Sequence, residues 1–255
     1  MQIFLAVREF FRVLGLLVLL GIAFLAYPLV FLASRFQPSP ERRSWRLLWQ
    51  GMGCRWALAY LRCRVNVHGT PPHRGMLVSN HQGYMDILVL GSLDPASFVA
   101  KAEIRWWPIF GLFSWWAGTI FLERRNKTAL RGPLHETIER LREGGRVVVF
   151  PEGTDSDGTG VLPFHSSFFE AAIRAQCPVI PVAIRYSAPG VGSGEEVIYW
   201  KDRRFLPHLI RLLGVSGIRA QVTFGKSMEP GQDRKELALR VYGEVARMVR
   251  AGGAT

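Results

Sequence analysis

Short apolar runs rich in β-branched residues recur along this chain, and segments with helical periodicity lie between them. The clearest runs are Gly75–Ser79, Arg146–Phe150 and Val179–Arg185, each with the length and composition of a buried strand. This alternation predicts an α/β fold, in which helices flank a largely parallel or mixed central sheet. The other predicted strands are Arg64–Val67, Ser97–Ala100, Thr119–Leu122 and Ile218–Phe224, and the predicted helices are Asp86–Leu93, Thr128–Arg142 and Arg234–Arg250.

The N-terminal part of the chain does not follow this alternation. Val13–Ala33 is 21 residues without a charged side chain, enough to cross a bilayer core of about 30 Å and longer than the apolar part of a typical signal peptide. Pro28 interrupts the run, Gln37–Pro40 is the predicted linker after it, and Ser44–Leu61 has the Trp and Arg content of an interfacial amphipathic helix. The two helices either span the bilayer or form a hairpin in one leaflet, and the sequence leaves both arrangements open.

Charge indicates what kind of partner the protein has. The 255 residues carry a formal net charge of +12, and the arginines of residues 1–70 flank apolar segments instead of forming a nucleic-acid-binding module. We therefore expect a membrane with anionic lipids, and not nucleic acid, as the partner. The larger arginine group follows the apolar run, which predicts that the rest of the chain lies on the cytoplasmic face of the inner (plasma) membrane.

Several other kinds of site are absent from the sequence. The chain has three widely spaced cysteines, which form no disulfide framework and are typical of a reducing compartment. No metal site is predicted, because the histidines and acidic residues show no metal-ligand spacing. The Gly-x-Ser-x-Gly pattern of the α/β-hydrolases is also missing.

The strand Gly75–Ser79 is followed directly by Asn80-His81-Gln82-Gly83-Tyr84-Met85-Asp86. His81 and Asp86 are five positions apart, about 140° around a regular helix, so their side chains cannot meet if both lie in one helix. They can meet if His81 lies in the turn after the strand and Asp86 in the first turn of the next helix. The carboxylate would then fix the imidazole tautomer and stabilise the imidazolium, so the pattern predicts a general base that needs no nucleophile of the enzyme. A purely structural hydrogen bond is the alternative interpretation.

Three further blocks follow this motif, and the four together are more specific than any one alone. They are Gly118-Thr119-Ile120-Phe121-Leu122-Glu123-Arg124, Phe150-Pro151-Glu152-Gly153-Thr154 and Val179-Ile180-Pro181-Val182. In this order the blocks resemble the glycerolipid acyltransferase family, whose best-known members acylate lysophosphatidic acid. The resemblance spans about residues 64–225, which implies an acyltransferase catalytic domain over 63–255 and membrane-anchoring helices over 1–62.

The resemblance also implies which residues contact the acceptor. Arg124 would bind the acceptor phosphate, for which a guanidinium fork is well suited, and Lys101 matches a position where relatives also carry lysine. Glu152, Gly153 and Thr154 are assigned to acceptor binding. For each of these the alternative is a solvated surface charge or an ordinary β-turn. Because His81 and Glu152 each follow a strand, we expect them at the same edge of the sheet.

The reaction implied is transfer of a fatty acyl group from acyl-CoA or acyl-carrier protein to the free hydroxyl of lysophosphatidic acid, giving phosphatidic acid without a cofactor. This chain departs from the family pattern in one block, where Phe164-His165-Ser166-Ser167 replaces the common Phe-Lys-x-Gly. The missing lysine removes a cation near the acceptor head group, and Asp155 and Asp157 lie shortly before it. A lyso-ornithine or related amino-acid lysolipid is therefore the alternative acceptor. The alternative function that is not enzymatic is a membrane scaffold that keeps the fold but does not catalyse a reaction.

Aromatic residues are unusually dense between Lys101 and the second block. They would line the channel for the acyl chain, contact lipid, or pack in the core, and the sequence does not decide among these. These residues are Trp106, Trp107, Phe110, Phe113, Trp115 and Trp116.

Overall fold

The computed structural model describes residues 2–36, 39–107, 110–123, 131–188, 197, 205–215 and 217–252, with backbone alone for 2–10 and 39–44. Within these residues, seven strands form one sheet, and they are β1 (Arg64–His68), β2 (Gly75–Ser79), β3 (Ser97–Lys101), β4 (Ile120–Leu122), β5 (Arg146–Val149), β6 (Val179–Ser187) and β7 (Arg219–Phe224). Their order across the sheet is β1-β7-β6-β2-β5-β3-β4. Neighbouring strands are parallel except β6 and β7, so the predicted α/β class with a largely parallel or mixed sheet is confirmed.

The described part of the chain contains eight α-helices and two 3₁₀ turns. The helices are α1 (Gln2–Arg35), α2 (Ser39–Tyr60), α3 (Tyr84–Leu93), α4 (Phe110–Trp116), α5 (Arg131–Arg142), α6 (Glu170–Ala175), α7 (Phe205–Gly214) and α8 (Arg234–Ala251), and the 3₁₀ turns are Ala102–Trp106 and Ser166–Phe169. The sequence did not predict α4, α6 or α7, which have ten residues or fewer.

Two segments predicted from the sequence, a linker and a helix, are only partly described by the structure. The linker predicted over Gln37–Pro40 is wrong in its second half, because Ser39 and Pro40 are the first residues of α2. Proline is favoured in the first helical turn, where its missing N–H leaves no hydrogen bond unmade. Residues 37–38, and residues 128–130 of the predicted helix Thr128–Arg142, lie outside the described residues.

Helices cover both faces of the sheet and bury a separate apolar cluster on each. All five residues of β2 are buried. Because side chains alternate along a strand, Leu77 belongs to the cluster that includes residues of α2, α3 and α7, whereas Val78 belongs to the cluster that includes residues of α5, α6 and α8. This burial on both faces explains why β2 has a continuous apolar sequence instead of an alternating one.

The C-terminal half of α2 is part of this core. Leu58 of α2 and Leu61, directly after the helix, are buried in the same cluster as Leu77, and Cys54 is buried beside α3. The division of the chain into anchor helices over 1–62 and a catalytic domain over 63–255 stays a prediction. In the structure, α2 contacts both α1 and α3.

One side of α1 packs against the rest of the protein along most of its length. Tyr27 is 1% exposed, and its ring stacks on Trp116 of α4 at 4.0 Å between centroids. About four turns earlier, the Arg12 guanidinium donates to the carbonyl of Leu213 in α7, and its carbonyl accepts from Tyr60. The other side of α1 exposes large apolar side chains, among them Phe11, Leu14, Leu17, Val18, Ile22, Leu25, Leu29 and Leu32.

Candidate active site

His81 lies in the turn after β2, and Asp86 lies in the first turn of α3. Gly83, at φ +129°, gives the turn a backbone conformation that other residues rarely adopt. The turn brings His81 Nδ1 to 2.8 Å from Asp86 Oδ2. The contact predicted from the five-residue spacing is therefore present. Its role in catalysis stays a prediction.

Several donors fix the position of the Asp86 carboxylate, which is fully buried. Its Oδ2 accepts from the backbone N–H groups of Gln82 at 2.6 Å and Gly83 at 3.1 Å, and its Oδ1 accepts from the Tyr186 hydroxyl at 2.8 Å. Burial, and then the charge of Asp86, raise the pKa of Tyr186 well above its usual value, so this hydroxyl keeps its proton. The carboxylate therefore holds the imidazole in one orientation.

The His81 ring lies between an aromatic face and two carboxylates. It stacks on Phe150 at 4.1 Å between centroids, and its Nε2 lies 3.3 Å from Asp155 Oδ1. Burial alone would lower the pKa of His81, but the hydrogen bond to Asp86 and the charges of Asp86, Asp155 and Glu152 outweigh it and raise this pKa. The site thus favours the imidazolium, the form that a general base becomes when it takes up a proton.

The loop after β5 holds the backbone of His81. Glu152 Oε1 accepts from the His81 N–H at 3.0 Å, and its Oε2 accepts from the Leu162 N–H at 3.2 Å. Ser156 donates from both its N–H and its hydroxyl to the His81 carbonyl, at 2.8 and 3.0 Å. Burial raises the pKa of Glu152 to about 7. His81 and Glu152 therefore meet at one sheet edge, as the parallel order of β2 and β5 predicts.

Two carboxamides on either side of His81 attach the turn to β6. Asn80 donates to the Ile184 carbonyl at 3.0 Å and accepts from the Ile184 N–H at 2.8 Å, while Gln82 donates to the same carbonyl at 2.7 Å. Sequence reasoning did not identify Asn80, Gln82, Ser156 or Tyr186. The only signal was the position of Asn80 and Gln82, since a carboxamide beside a strand end can both donate to and accept from a backbone.

The other predicted site residues differ in burial, and one of them lies outside the described residues. Gly153 is buried at φ +73°, and Thr154 is exposed. Lys101 is exposed at the carboxyl end of β3, the strand next to β5, which puts it at the same edge of the sheet as His81. Arg124 lies outside the described residues. The acceptor-binding roles of these residues and of Glu152 stay predictions.

Four of the aromatic residues between Lys101 and β4 form two groups. Trp115 and Trp116 pack against α1, with Phe31–Trp115 centroids 6.2 Å apart. Trp107 and Phe110 instead surround Phe205 of α7, at 5.7 and 4.7 Å between centroids, and Tyr84 beside the His81 turn touches the same ring. Trp106 is 82% exposed. An apolar wall therefore runs from the start of α3 toward α7.

Buried thiols and metal ligands offer no other chemistry among the described residues. Burial raises the pKa of Cys54 and Cys63 to about 12, and Cys177 is buried too, so none is a thiolate near neutral pH. Within the described ranges, no group of three His, Cys, Asp or Glu side chains is placed to hold a metal ion.

Comparison with known proteins gives four concordant similarities. A family model described as Acyltransferase matches residues 64–185. A lyso-ornithine lipid O-acyltransferase of Pseudomonas aeruginosa is 37% identical over 235 residues, which are 89% of this chain and 86% of that protein. A 1-acyl-sn-glycerol-3-phosphate acyltransferase of Neisseria gonorrhoeae is 36% identical over 150 residues, 58% of each chain. The crystal structure of the lysophosphatidic acid acyltransferase PlsC from Thermotoga maritima superposes with a TM-score of 0.70 at 26% identity, covering 97% of this chain and 98% of that one.

Proposed function

This chain belongs to the acyltransferase family, and we propose that it moves a fatty acyl group from a thioester to the free hydroxyl of a lysolipid, with His81 as the general base. The family and the enzyme class predicted from the motifs, and the fold predicted from the alternation of strands and helices, are confirmed by the family match, the relatives and the solved structure. Phospholipid biosynthesis, also predicted, is supported by the same names.

The proposed base would work through Nε2. The acceptor hydroxyl gives its proton to this nitrogen while its oxygen attacks the thioester carbonyl carbon. When the tetrahedral intermediate collapses, the C–O bond remains, the C–S bond breaks, and the thiolate of CoA or acyl-carrier protein takes the proton from the imidazolium. The charges balance without an acyl-enzyme or a cofactor.

The observation that carries this proposal is the 2.8 Å contact between His81 Nδ1 and Asp86 Oδ2. It supports Nδ1–H as the donor to Asp86, which leaves Nε2 as the atom available to accept a proton. Stacking on Phe150 and the attachment of both neighbours to β6 restrict motion of the ring. A positioned base of this kind accelerates proton transfer by about 100- to 10,000-fold.

Two acceptor classes have support, from different observations. Lysophosphatidic acid is favoured by the similarity, over nearly the whole chain, to the solved enzyme of that name. An amino-acid lysolipid is favoured by the relative named for lyso-ornithine lipid, which matches this chain over more of its length than the Neisseria enzyme does. The charge at the site favours it further, because Asp155 lies beside the proposed base and His165 stands where the family commonly has lysine.

The remaining substrate contacts are proposed from the family pattern. Arg124 would bind an anionic group of the acceptor, and Lys101, Gly153 and Thr154 would line the acceptor side of the same sheet edge. Glu152 is proposed to act mainly by holding the His81 backbone. If Arg124→Ala left the acceptor KM unchanged, the role of Arg124 would be wrong.

Membrane association is supported by α1, whose segment Phe11–Arg35 is long and apolar enough to cross a bilayer, with a mean hydropathy of 2.6. We propose, however, that α1 lies within one leaflet. Its contacts with the domain run from Arg12 to Phe31, about 28 Å along the helix at 1.5 Å per residue. A spanning α1 would therefore draw α4 and α7 into the bilayer. A position on the cytoplasmic face is proposed from the arginines that follow the apolar run.

The proposed function is tested with full-length protein in detergent or in vesicles. Lysophosphatidic acid and lyso-ornithine lipid are offered in parallel, each with acyl-CoA and with acyl-carrier protein as donor. His81→Ala is expected to abolish turnover while thermal unfolding remains cooperative. His135→Ala, on an exposed position of α5, is the matched control and should keep full activity. Activity retained by His81→Ala would end the assignment of the base, and a folded wild type without any turnover would favour the scaffold.

A further inference from the structure

Asp155 occupies the position that an acceptor hydroxyl must reach. Its Oδ1 lies 3.3 Å from His81 Nε2, on the side of the ring opposite Asp86. The Asp155 side chain is 32% exposed, whereas that of His81 is 17% exposed, so the carboxylate is the more accessible of the two groups. In this arrangement Nε2 is paired with a carboxylate and is closed to a hydroxyl.

Asp157, the next acidic residue of the loop, makes a different kind of contact from the one between Asp155 and His81. Asp157 Oδ1 accepts from the N–H and the hydroxyl of Thr159, at 3.0 and 2.6 Å, which is an ordinary turn contact. Between the two aspartates, Ser156 is bonded to the His81 carbonyl through both its N–H and its hydroxyl. The backbone is therefore fixed beside His81, so movement of the Asp155 carboxylate away from Nε2 would come from its side chain.

We infer that Asp155 is a specificity-determining gate, whose carboxylate closes His81 Nε2 in the resting enzyme and is drawn away by the ammonium group of a cationic acceptor. This inference rests on the proposed function, since it takes His81 as the base. It deepens that function by naming the charge of the acceptor head group. Asp155 would contact the acceptor head group and control access of the acceptor hydroxyl to His81.

The charges around His81 explain how such a gate discriminates. Among the described residues, the charged groups that face the ring are Asp86 from α3, and Asp155 and Glu152 from the loop after β5. An imidazolium held between Asp86 and Asp155 is stabilised from both sides and cannot accept a further proton. An ammonium group that pairs with Asp155 both exposes Nε2 and removes one of the charges that favour the imidazolium. A phosphate cannot do this, because it repels the same carboxylate.

The test uses two acceptors that differ in a single charge. Lyso-ornithine lipid carries an ammonium group on its side chain, and its N-acetylated derivative does not. For the full-length wild type we expect kcat/KM to favour the ammonium acceptor by about tenfold, the size of one partly exposed charge-assisted contact. In Asp155→Asn this preference should fall below about twofold, because the selecting charge is gone. Asp157→Asn, the matched control, should keep the wild-type preference.

The pH profile gives an independent readout. Asp155 contributes to the raised pKa of His81, so its replacement by asparagine lowers that pKa. The acid limb of kcat/KM for the N-acetylated acceptor should therefore move to lower pH. A residue that only supported the fold would change the rate at every pH without moving this limb.

Two outcomes would overturn the inference. One is an Asp155→Asn enzyme with the wild-type preference and an unmoved acid limb. The other is a wild type that does not favour the ammonium acceptor, whether it turns over both lyso-ornithine acceptors equally or accepts lysophosphatidic acid alone. Neither outcome tests the assignment of His81 as the base, which is refuted only if His81→Ala remains active. Failure of the Asp155 inference and failure of the proposed function are therefore distinguishable.

Discussion

Replacing Asp86 with asparagine removes the charge behind the proposed base while it keeps the shape of the side chain. In one amide orientation, the asparagine oxygen takes the place of Oδ2 and still accepts from His81 Nδ1, Gln82 N and Gly83 N, now at 2.8, 2.6 and 3.1 Å. The amide nitrogen then faces the Tyr186 hydroxyl, which turns from donor to acceptor. The Tyr186 O–H loses its acceptor and the second amide N–H adds a buried donor, which costs stability, but the shape of the side chain is kept, so the variant should still fold.

The cost to stability follows from these contacts. Charge-assisted hydrogen bonds become neutral ones, which should lower the free energy of unfolding by about 2 kcal/mol. The cost to catalysis is larger, because the imidazolium that forms during transfer loses its buried counter-charge. We expect kcat to fall by about 100- to 10,000-fold with little change in acceptor KM.

The sign of the pH effect provides a second check. Asp86 is the largest contributor among those that raise the pKa of His81, so its neutral replacement lowers that pKa. The acid limb of the residual activity should move to lower pH. Tyr186→Phe is the control: it removes one donor to Asp86 but keeps the charge, and should cost about 1 kcal/mol of stability with a small loss of rate.

The assay is steady-state acyl transfer across a pH series, with thermal unfolding of each variant measured in the same buffers. If Asp86→Asn keeps turnover within roughly threefold of the wild type, the positioned-base argument is refuted. An acid limb that moves to higher pH would refute the electrostatic part of the argument. A loss in Tyr186→Phe equal to that in Asp86→Asn would show that hydrogen bonding, and not charge, is responsible.

Two further predictions concern stability and membrane binding. Burial raises the pKa of Glu152 from 4.5 to about 7, so its contribution to stability is fully present below the lower value and is lost as pH rises through the upper one, by up to about 3 kcal/mol. Thermal unfolding of Glu152→Gln between about pH 5 and pH 8 should lack this loss, and a slope equal to that of the wild type would contradict the assignment. Leu25 and Leu29 are 73% and 69% exposed on α1, and replacing both with lysine should weaken vesicle binding by at least about 2 kcal/mol without unfolding the protein. Leu239→Lys, at an equally exposed position of α8, should bind vesicles like the wild type, and equal losses in both variants would argue against α1 as the docking surface.

The motif His81-to-Asp86 was predictable because its contact is local. The two residues belong to one strand–turn–helix unit, and the pattern of apolar residues before and after them indicates where the strand ends and the helix begins. The strands were predictable for the same reason: β2, β5 and β6 are buried on both faces and have continuous apolar sequences. The short helices α4, α6 and α7 were not, because helices of this length are marginal by themselves and form mainly through packing against their neighbours.

The sequence by itself thus determined the α/β class, the acyltransferase family and the contact between His81 and Asp86. Only the tertiary structure decided what surrounds that base. Tyr186 reaches Asp86 across 100 residues of chain, and Asp155 reaches Nε2 from the loop after β5. Such contacts depend on the order in which strands pair, here β6-β2-β5. That order is set by the burial of whole faces of the sheet, and no local pattern of residues records it.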